Sequence, residues 1–332
     1  MSGKSRPNKT TLDPAKMATI DSLRGKELSF EFLEEITDDF SEEREVGKGP
    51  LRTTVYKAVL EDGEIAVKRH VGNAPGTRNK EAYRTNVHNI MKHRHGNVVE
   101  LLAFCLEEQY DALVWVGNRY VTKDVVVESL FCYEYFPDGS LHHSLFVKKV
   151  NIDWNTRFKI IQGICQGLKF LHTLPQPIIH LNLKPQNIML GHNMVPKIAD
   201  FGYSRIVNPE QSRINTESSV GSVGYMAPEY LFKEVNEISA RFDIYSLGLI
   251  IIEITTREEN CAGVDQESAR EFINKVRKNC KDTALMMSEY QGLDEDHLHQ
   301  QIACIKLGLR CVDLDQNVRP KIVDIVNELN AL

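Results

Sequence analysis

His180-Leu181-Asn182-Leu183-Lys184-Pro185-Gln186-Asn187, followed across the strand-like Met194-Val195-Pro196-Lys197-Ile198-Ala199 by Asp200-Phe201-Gly202, is the stretch on which the fold reading turns. Asp-Phe-Gly alone is a weak string, because turns often hold Asp and Gly. Its spacing after Lys184-Pro185-Gln186-Asn187 makes it specific. Asn182 is the residue that matters most. An amide can orient a neighbour but has no basic oxygen with which to take a proton.

Working outward, 332 residues are enough for one large or two ordinary domains. With 42% apolar and 26% charged residues and a mean hydropathy of -0.32, the chain can bury a core and shows no compositional sign of disorder. A net charge of -6 gives no support to a nucleic-acid surface or a polybasic membrane patch. The apolar run Leu247-Gly248-Leu249-Ile250-Ile251-Ile252 is too short to cross a bilayer. The 7 cysteines are scattered and contain no C-x-x-C pair, which argues against a disulfide framework or a structural metal. Met1 to Thr10 is basic and polar without an apolar core, and Ser2 stands where N-myristoylation needs glycine. Cytoplasmic residence is the expectation, extended to a peripheral place at the plasma membrane through a partner.

Along the chain, residues 1–28 are polar and are read as a flexible tail. Phe30, Leu33, Ile36 and Phe40 recur at helical spacing and predict a lead-in helix within 29–44. Thr54 to Leu60 and Ile65 to Lys68 flank Glu61-Asp62-Gly63, a hairpin signal. The stretch 107–129 mixes Asp, Gly and Asn with apolar runs and reads as an enlarged hairpin loop. Beyond Pro137-Asp138-Gly139-Ser140 helical stripes take over: Ile160, Ile161, Ile164, Leu168 and Leu171, then Ile250, Ile251 and Ile254, then Ile302, Ile305, Leu309 and Val312.

Several further strings stand in order: Glu45-Val46-Gly47-Lys48-Gly49, Ile65-Ala66-Val67-Lys68, His95-Gly96-Asn97-Val98-Val99, Tyr133-Glu134-Tyr135 with Pro137-Asp138-Gly139-Ser140-Leu141, and Gly224-Tyr225-Met226-Ala227-Pro228-Glu229-Tyr230. Together with 180–202 they resemble the protein kinases, and among these the plant receptor-like and receptor-like cytoplasmic kinases, over roughly residues 45 to 330. The resemblance implies an α+β, bilobal protein kinase fold. A small antiparallel-sheet N-lobe with its αC helix would cover 45–136, and a larger helical C-lobe 137–332. It implies ATP and Mg²⁺ as cofactors. Gly47, Gly49, Val55, Lys68, Glu134 and Tyr135 then match the nucleotide-binding positions, with Tyr133 as gatekeeper. Asn187 and Asp200 match the metal ligands, and Lys184 the lysine that neutralises the γ-phosphate. Glu229 and Arg319 match a buried ion pair, Asp243 a helix aspartate that holds the catalytic-loop backbone, and Ser222 a hydroxyl of the substrate-facing loop.

The departures from that pattern cluster on the catalytic parts. Arg52 stands for the third glycine of G-x-G-x-x-G, and Pro50 removes a backbone donor from the loop. Asn86 falls where the αC glutamate should pair with Lys68, and Glu81 lies about 140° around a helix from that position. Leu181 replaces the arginine that grips a phosphorylated activation segment, and Asn182 replaces the base. Ser212, Thr216, Ser218 and Ser219 are either acceptor sites for another kinase or an ordinary polar loop. The expectation is a pseudokinase that binds ATP weakly and acts as scaffold, decoy or adaptor in plant signalling or immunity. Its partners would be other proteins, such as an active receptor-like kinase or an intracellular immune receptor. The alternatives are a slow serine/threonine kinase and a module that binds no nucleotide at all.

Overall fold

The computed structural model describes residues 18–49, 52–71, 80–110, 113–116, 119–122, 125–200, 205–206, 221–232, 237–260, 266–281 and 295–332. The chain divides into two units: Met1–Arg94 with Glu100–Tyr135, and His95–Val99 with Phe136–Leu332.

The first unit contains α1 (Ile20–Leu23), β1 (Lys26–Glu27), α2 (Phe30–Ile36), β2 (Glu45–Gly49), β3 (Thr53–Leu60), β4 (Gly63–Val71), α3 (Lys80–Met91), β5 (Leu101–Tyr110), β6 (Leu113–Val116), β7 (Arg119–Thr122) and β8 (Val125–Glu134). Six strands form a sheet in the order β1-β5-β8-β4-β3-β2, antiparallel throughout except where β1 runs parallel to β5. Strict alternation gives the sheet two different faces. Ala58, Leu60, Ile65, Val67, Leu130 and Cys132 turn to one side, where Leu33 and Ile36 of α2 cover them. Ser29 starts α2 by accepting a hydrogen bond from Phe32 N at 3.2 Å, the usual role of a serine N-cap. On the same side the Arg69 guanidinium sits 4.2 Å from the Phe40 ring centre and 5.5 Å from that of Phe30, and it grips Glu128 through two bonds of 2.6 and 3.0 Å. Ala66, Lys68, His70, Thr53, Val55, Ser129 and Phe131 face the other side by register.

Residues 18–28 do not behave as tail. Leu23 is buried, Gly25 N donates to Leu102 O and Leu28 N to Phe104 O, so this segment caps the open edge of β5. Residues 1–17 lie outside the described residues. The stretch 107–129 is also more regular than a loop: β5 and β8 stay paired out to Tyr110 and Val125, and β6 and β7 form a hairpin beyond them.

The second unit contains α4 (Trp154–His172), β9 (Ile178–Ile179), β10 (Ile188–Leu190), β11 (Pro196–Ile198), β12 (Arg205–Ile206), α5 (Pro228–Leu231), α6 (Ala240–Thr256), α7 (Gln266–Lys281), α8 (Glu295–Cys311) and α9 (Ile322–Asn330). Helix α6 is buried at every position from Phe242 to Thr255, the state expected of a helix apolar all round. It crosses α8 closely. A Cβ on Gly248 would stand 2.8 Å from Gly308 O, and one on Gly308 2.7 Å from the Ile252 side chain. That approach turns Cys304, Leu307 and Gly308 inward, while Ile302 and Leu309, predicted as core, are half-buried.

His95–Val99 belongs to this second unit, which the expected lobe boundary at 136 misses. Asn97 Nδ2 donates to Pro196 O at 3.0 Å, its carbonyl accepts from Ile198 N at 2.9 Å, and a Cβ on Gly167 of α4 would come within 2.5 Å of that carbonyl. Asn97 thus ties the strand before Asp200 to the long helix α4.

Candidate functional site

The second unit builds its site from the buried end of α6. Asp243, in the first turn of that helix and 0% exposed, accepts from the backbone amides of His180 and Leu181, each at 2.8 Å, and from His172 Nε2 at 2.8 Å. Burial alone would raise this carboxyl. The His172 hydrogen bond, together with the neighbouring His172 and His180 rings, outweighs it and holds Asp243 below the usual carboxylate range. Two carboxylate oxygens therefore fix the backbone at 180 and 181. Leu181 sits there with φ of 64°, a left-handed conformation costly for a branched residue. The neighbouring Gly221 has φ of 143°, and a Cβ on it would stand 2.7 Å from Leu181 O.

His180 is fully buried, and burial more than any other cause lowers its pKa from the ordinary histidine value. A neutral ring has one donor and one acceptor nitrogen. Nδ1 accepts from Asn182 N at 3.2 Å, so Nε2 carries the proton and donates to Ala199 O at 2.8 Å. This ring joins the loop at 182 to the strand end at 199. Asn187 adds a second link: its Nδ2 donates to Asn182 O at 2.7 Å, and its carbonyl accepts from Ala199 N at 2.8 Å.

Asn182, 6% exposed, has its side chain engaged at both ends. A carboxylate offers only acceptors, so the amide nitrogen faces Asp200, with Nδ2 donating to Oδ2 at 3.2 Å. Asn182 Oδ1 accepts from Ser222 Oγ at 2.9 Å. An ionised aspartate at 182 could not make the bond to Asp200; it would repel it. Asp200 has φ of 70°. Its Oδ1 and the Asn187 Oδ1 are hard oxygen donors of the kind Mg²⁺ takes, and that ion needs few protein ligands. The two residues thus fit such an ion, with Oδ2 of Asp200 already accepting from the amide. Among the described residues no cluster of three His, Cys, Asp or Glu side chains offers another metal site. Lys184 opens the short turn Pro185–Asn187. Below the loop, Glu229 and Arg319 form a two-point ion pair at 2.6 and 2.8 Å, and the Arg319 guanidinium lies 5.1 Å from the Tyr245 ring centre.

The first unit holds the other expected residues. Lys68 on β4 lies opposite Val55 on β3 and Phe131 on β8. Gly47 pairs with Val55 and Gly49 with Thr53. Arg52, immediately before β3, has φ of 55°, a left-handed backbone that glycine adopts most easily. The arginine takes that backbone while putting a side chain where the pattern has none. Pro50 and Leu51 lie outside the described residues. Glu134 Oε1 accepts from Glu100 N at 2.9 Å, and Lys57 Nζ stands 5.7 Å from the Tyr135 ring centre. Asn86 lies in α3, with its side chain outside the described residues, as are Phe201, Gly202 and the acceptor candidates Ser212, Thr216, Ser218 and Ser219. The spacing argument missed the amide bridge from Asn182 to Asp200, although an amide in place of one of two neighbouring carboxylates was the available signal. Among the described residues no helix is long and apolar enough to cross a membrane.

The family model described as "Protein kinase domain" matches residues 40–329. Among curated proteins the chain is 33% identical over 320 residues to "Cysteine-rich receptor-like protein kinase 10" of Arabidopsis thaliana, covering 95% of this chain and 44% of that protein. It is 35% identical over 321 residues to "Cysteine-rich receptor-like protein kinase 8" of the same plant, with the same coverage of 95% and 44%. It is 32% identical over 329 residues to "Cysteine-rich receptor-like protein kinase 6" of Oryza sativa subsp. japonica, covering 97% and 44%. The chain therefore spans less than half the length of these relatives.

Proposed function

The chain belongs to the protein kinase domain family, of the plant receptor-like kinase type, and from that membership we propose that it is a pseudokinase: a signalling protein that retains the fold and binds Mg·ATP weakly but does not transfer phosphate at a useful rate. The observation that carries this reading is the doubly engaged Asn182 amide. The loop position that would accept a proton from a substrate hydroxyl has no basic oxygen, its Oδ1 takes the Ser222 hydroxyl, and its Nδ2 occupies an oxygen of Asp200. General-base assistance is worth about 10²–10⁴-fold. The amide removes that help and also competes for a carboxylate oxygen that would serve the metal.

Mg·ATP, when bound, supplies the reactive phosphoryl group and neutralises its charge. For the residues of this chain, Lys68 would hold the α- and β-phosphates, Asn187 and Asp200 would hold the metal, and Lys184 would face the γ-phosphate. Glu134 and Tyr135 would supply backbone groups to adenine. The protein would then act through contacts, as scaffold, decoy or adaptor for an active receptor-like kinase or an intracellular immune receptor. Serine/threonine transfer at a low rate is the second reading, and retention of Lys68, Lys184, Asn187 and Asp200 together favours it.

Transfer of ³²P from γ-labelled ATP by the purified protein tests the proposal against Asp200→Ala. Wild type and variant are expected to give equal, background labelling of themselves and of a generic acceptor. Wild-type labelling that disappears in Asp200→Ala would establish the second reading instead.

A further inference from the structure

The Lys68 face of the first unit's sheet carries a row of three polar side chains that the assignments above leave unused. Thr53 on β3, His70 on β4 and Ser129 on β8 are direct cross-strand partners, so they occupy adjacent places on one face. Thr53 Oγ1 lies 3.1 Å from His70 Nδ1. Ser129 is 1% exposed, and its hydroxyl has no hydrogen-bond partner among the described residues. A buried hydroxyl in that state is completed by a water or a ligand. His70 follows Lys68 on the same strand and face, about 7 Å further along.

Burial first, and the Lys68 charge second, hold the His70 imidazole below the ordinary histidine range, so the ring is neutral near pH 7. Among the described residues, Lys68 is the charge that acts on this ring. Arg69 and Glu128 neutralise each other on the opposite face. From α3, Glu81 is exposed, Arg84 is taken by Glu27, and His88 sets its ring against Phe104. Arg52, next to Thr53, is exposed. Thr53 and Ser129 themselves carry no charge.

We propose that His70 is a second cationic contact for the phosphate chain of a nucleoside triphosphate, beside Lys68, and that it takes up one proton from solvent as the phosphates arrive. This rests on the reading of Lys68 as a nucleotide-binding residue. Protonation makes both ring nitrogens donors. Nδ1 keeps Thr53 Oγ1 as its acceptor, and Nε2 donates to a phosphate oxygen. The Ser129 hydroxyl extends the donor row on the same face. The incoming negative charge cancels the repulsion from Lys68, which moves the proton equilibrium toward uptake. A neutral nucleoside lacks that charge and gives no coupling.

Titration calorimetry of the full chain with Mg·ATP, near neutral pH in buffers of different ionisation enthalpy, reads the proton directly. Wild type is expected to take up on the order of half a proton to one proton more than His70→Gln, and His70→Gln to bind ATP about tenfold more weakly. Glutamine keeps a partner for Thr53, so the melting temperature should not move. Ionisation of ATP itself is common to both proteins and drops out of the difference. The imidazole pKa in the wild type, followed by NMR, should rise when ATP is added and stay still with adenosine; this measurement serves even if the variant folds poorly. Equal affinity and equal proton uptake in the two proteins, or an unmoved wild-type imidazole, would overturn the His70 contact while leaving nucleotide binding intact. Absence of any ATP heat in the wild type would overturn both.

Discussion

Glu253 shows how a single buried group can set a pH dependence. It lies on α6, 0% exposed, and Tyr225 Oη and Asn260 N both donate to its Oε1 at 2.8 Å. Its Oε2 has no partner among the described residues. Burial dominates these bonds and pushes the carboxyl up to about 8. The folded protein therefore keeps a proton that the unfolded chain releases near the ordinary value of 4.5. Between those two values the folded state binds more protons, so stability falls as pH rises, at up to about 1.4 kcal/mol per pH unit. Above the folded value both states are ionised and the slope ends. Glu253→Gln keeps the Oε1 acceptor without a titrating proton, so its advantage in melting temperature should grow from acid pH toward pH 8. A constant offset between the two melting curves would refute a titrating Glu253. At this scale the sequence was partly legible. His180, Lys184, Asn187 and Asp200 stood out through spacing, whereas Glu253, His70 and Ser129 did not, since their chemistry comes from burial and cross-strand register.

Among the elements, α2 and the sheet are joined by a charged link that periodicity could not reveal. Helical spacing of Phe30, Leu33 and Ile36 predicted the helix. It gave no hint that Arg69, one position after the candidate nucleotide lysine, would turn the other way, pack against the touching rings of Phe30 and Phe40, and bond Glu128. Glu128 is 2% exposed, so Arg69→Met leaves a buried carboxylate without its cation. Removing one partner of such a pair costs about 3–5 kcal/mol, while replacing both is often close to neutral. Urea unfolding should show a large loss for Arg69→Met and recovery of most of it in Arg69→Met/Glu128→Leu. No difference between the single and double variants would mean that aromatic stacking, and not the ion pair, carries the stabilisation. The strand at Lys26–Glu27 was missed for a related reason. It is held by backbone pairing to β5, and a polar composition says nothing about that.

Over the whole molecule the positions read from the sequence as departures from the kinase pattern fall in both units: Arg52 and Asn86 in the first, Leu181 and Asn182 in the second. Restoring one of them should accomplish little. Asn182→Asp alone is expected to gain less phosphate transfer than Arg52→Gly/Asn86→Glu/Asn182→Asp, in which general-base assistance, worth about 10²–10⁴-fold, acts on a better-held nucleotide. Full recovery by the single variant would reduce the proposed impairment to the base alone. The two-part organisation was legible from the change of periodicity near Tyr135. The assignment of His95–Val99 to the second unit was not, because it depends on Asn97 reaching Pro196 and Ile198 across a long stretch of chain. Asp243 carries a broader consequence. It holds the loop at 180 and 181 by peptide amides, groups that every non-proline residue possesses. The side chains riding on that loop can therefore be exchanged without loosening their support, and a lineage could shed its reactive groups there while its contour stayed recognisable to whatever had learned to bind it.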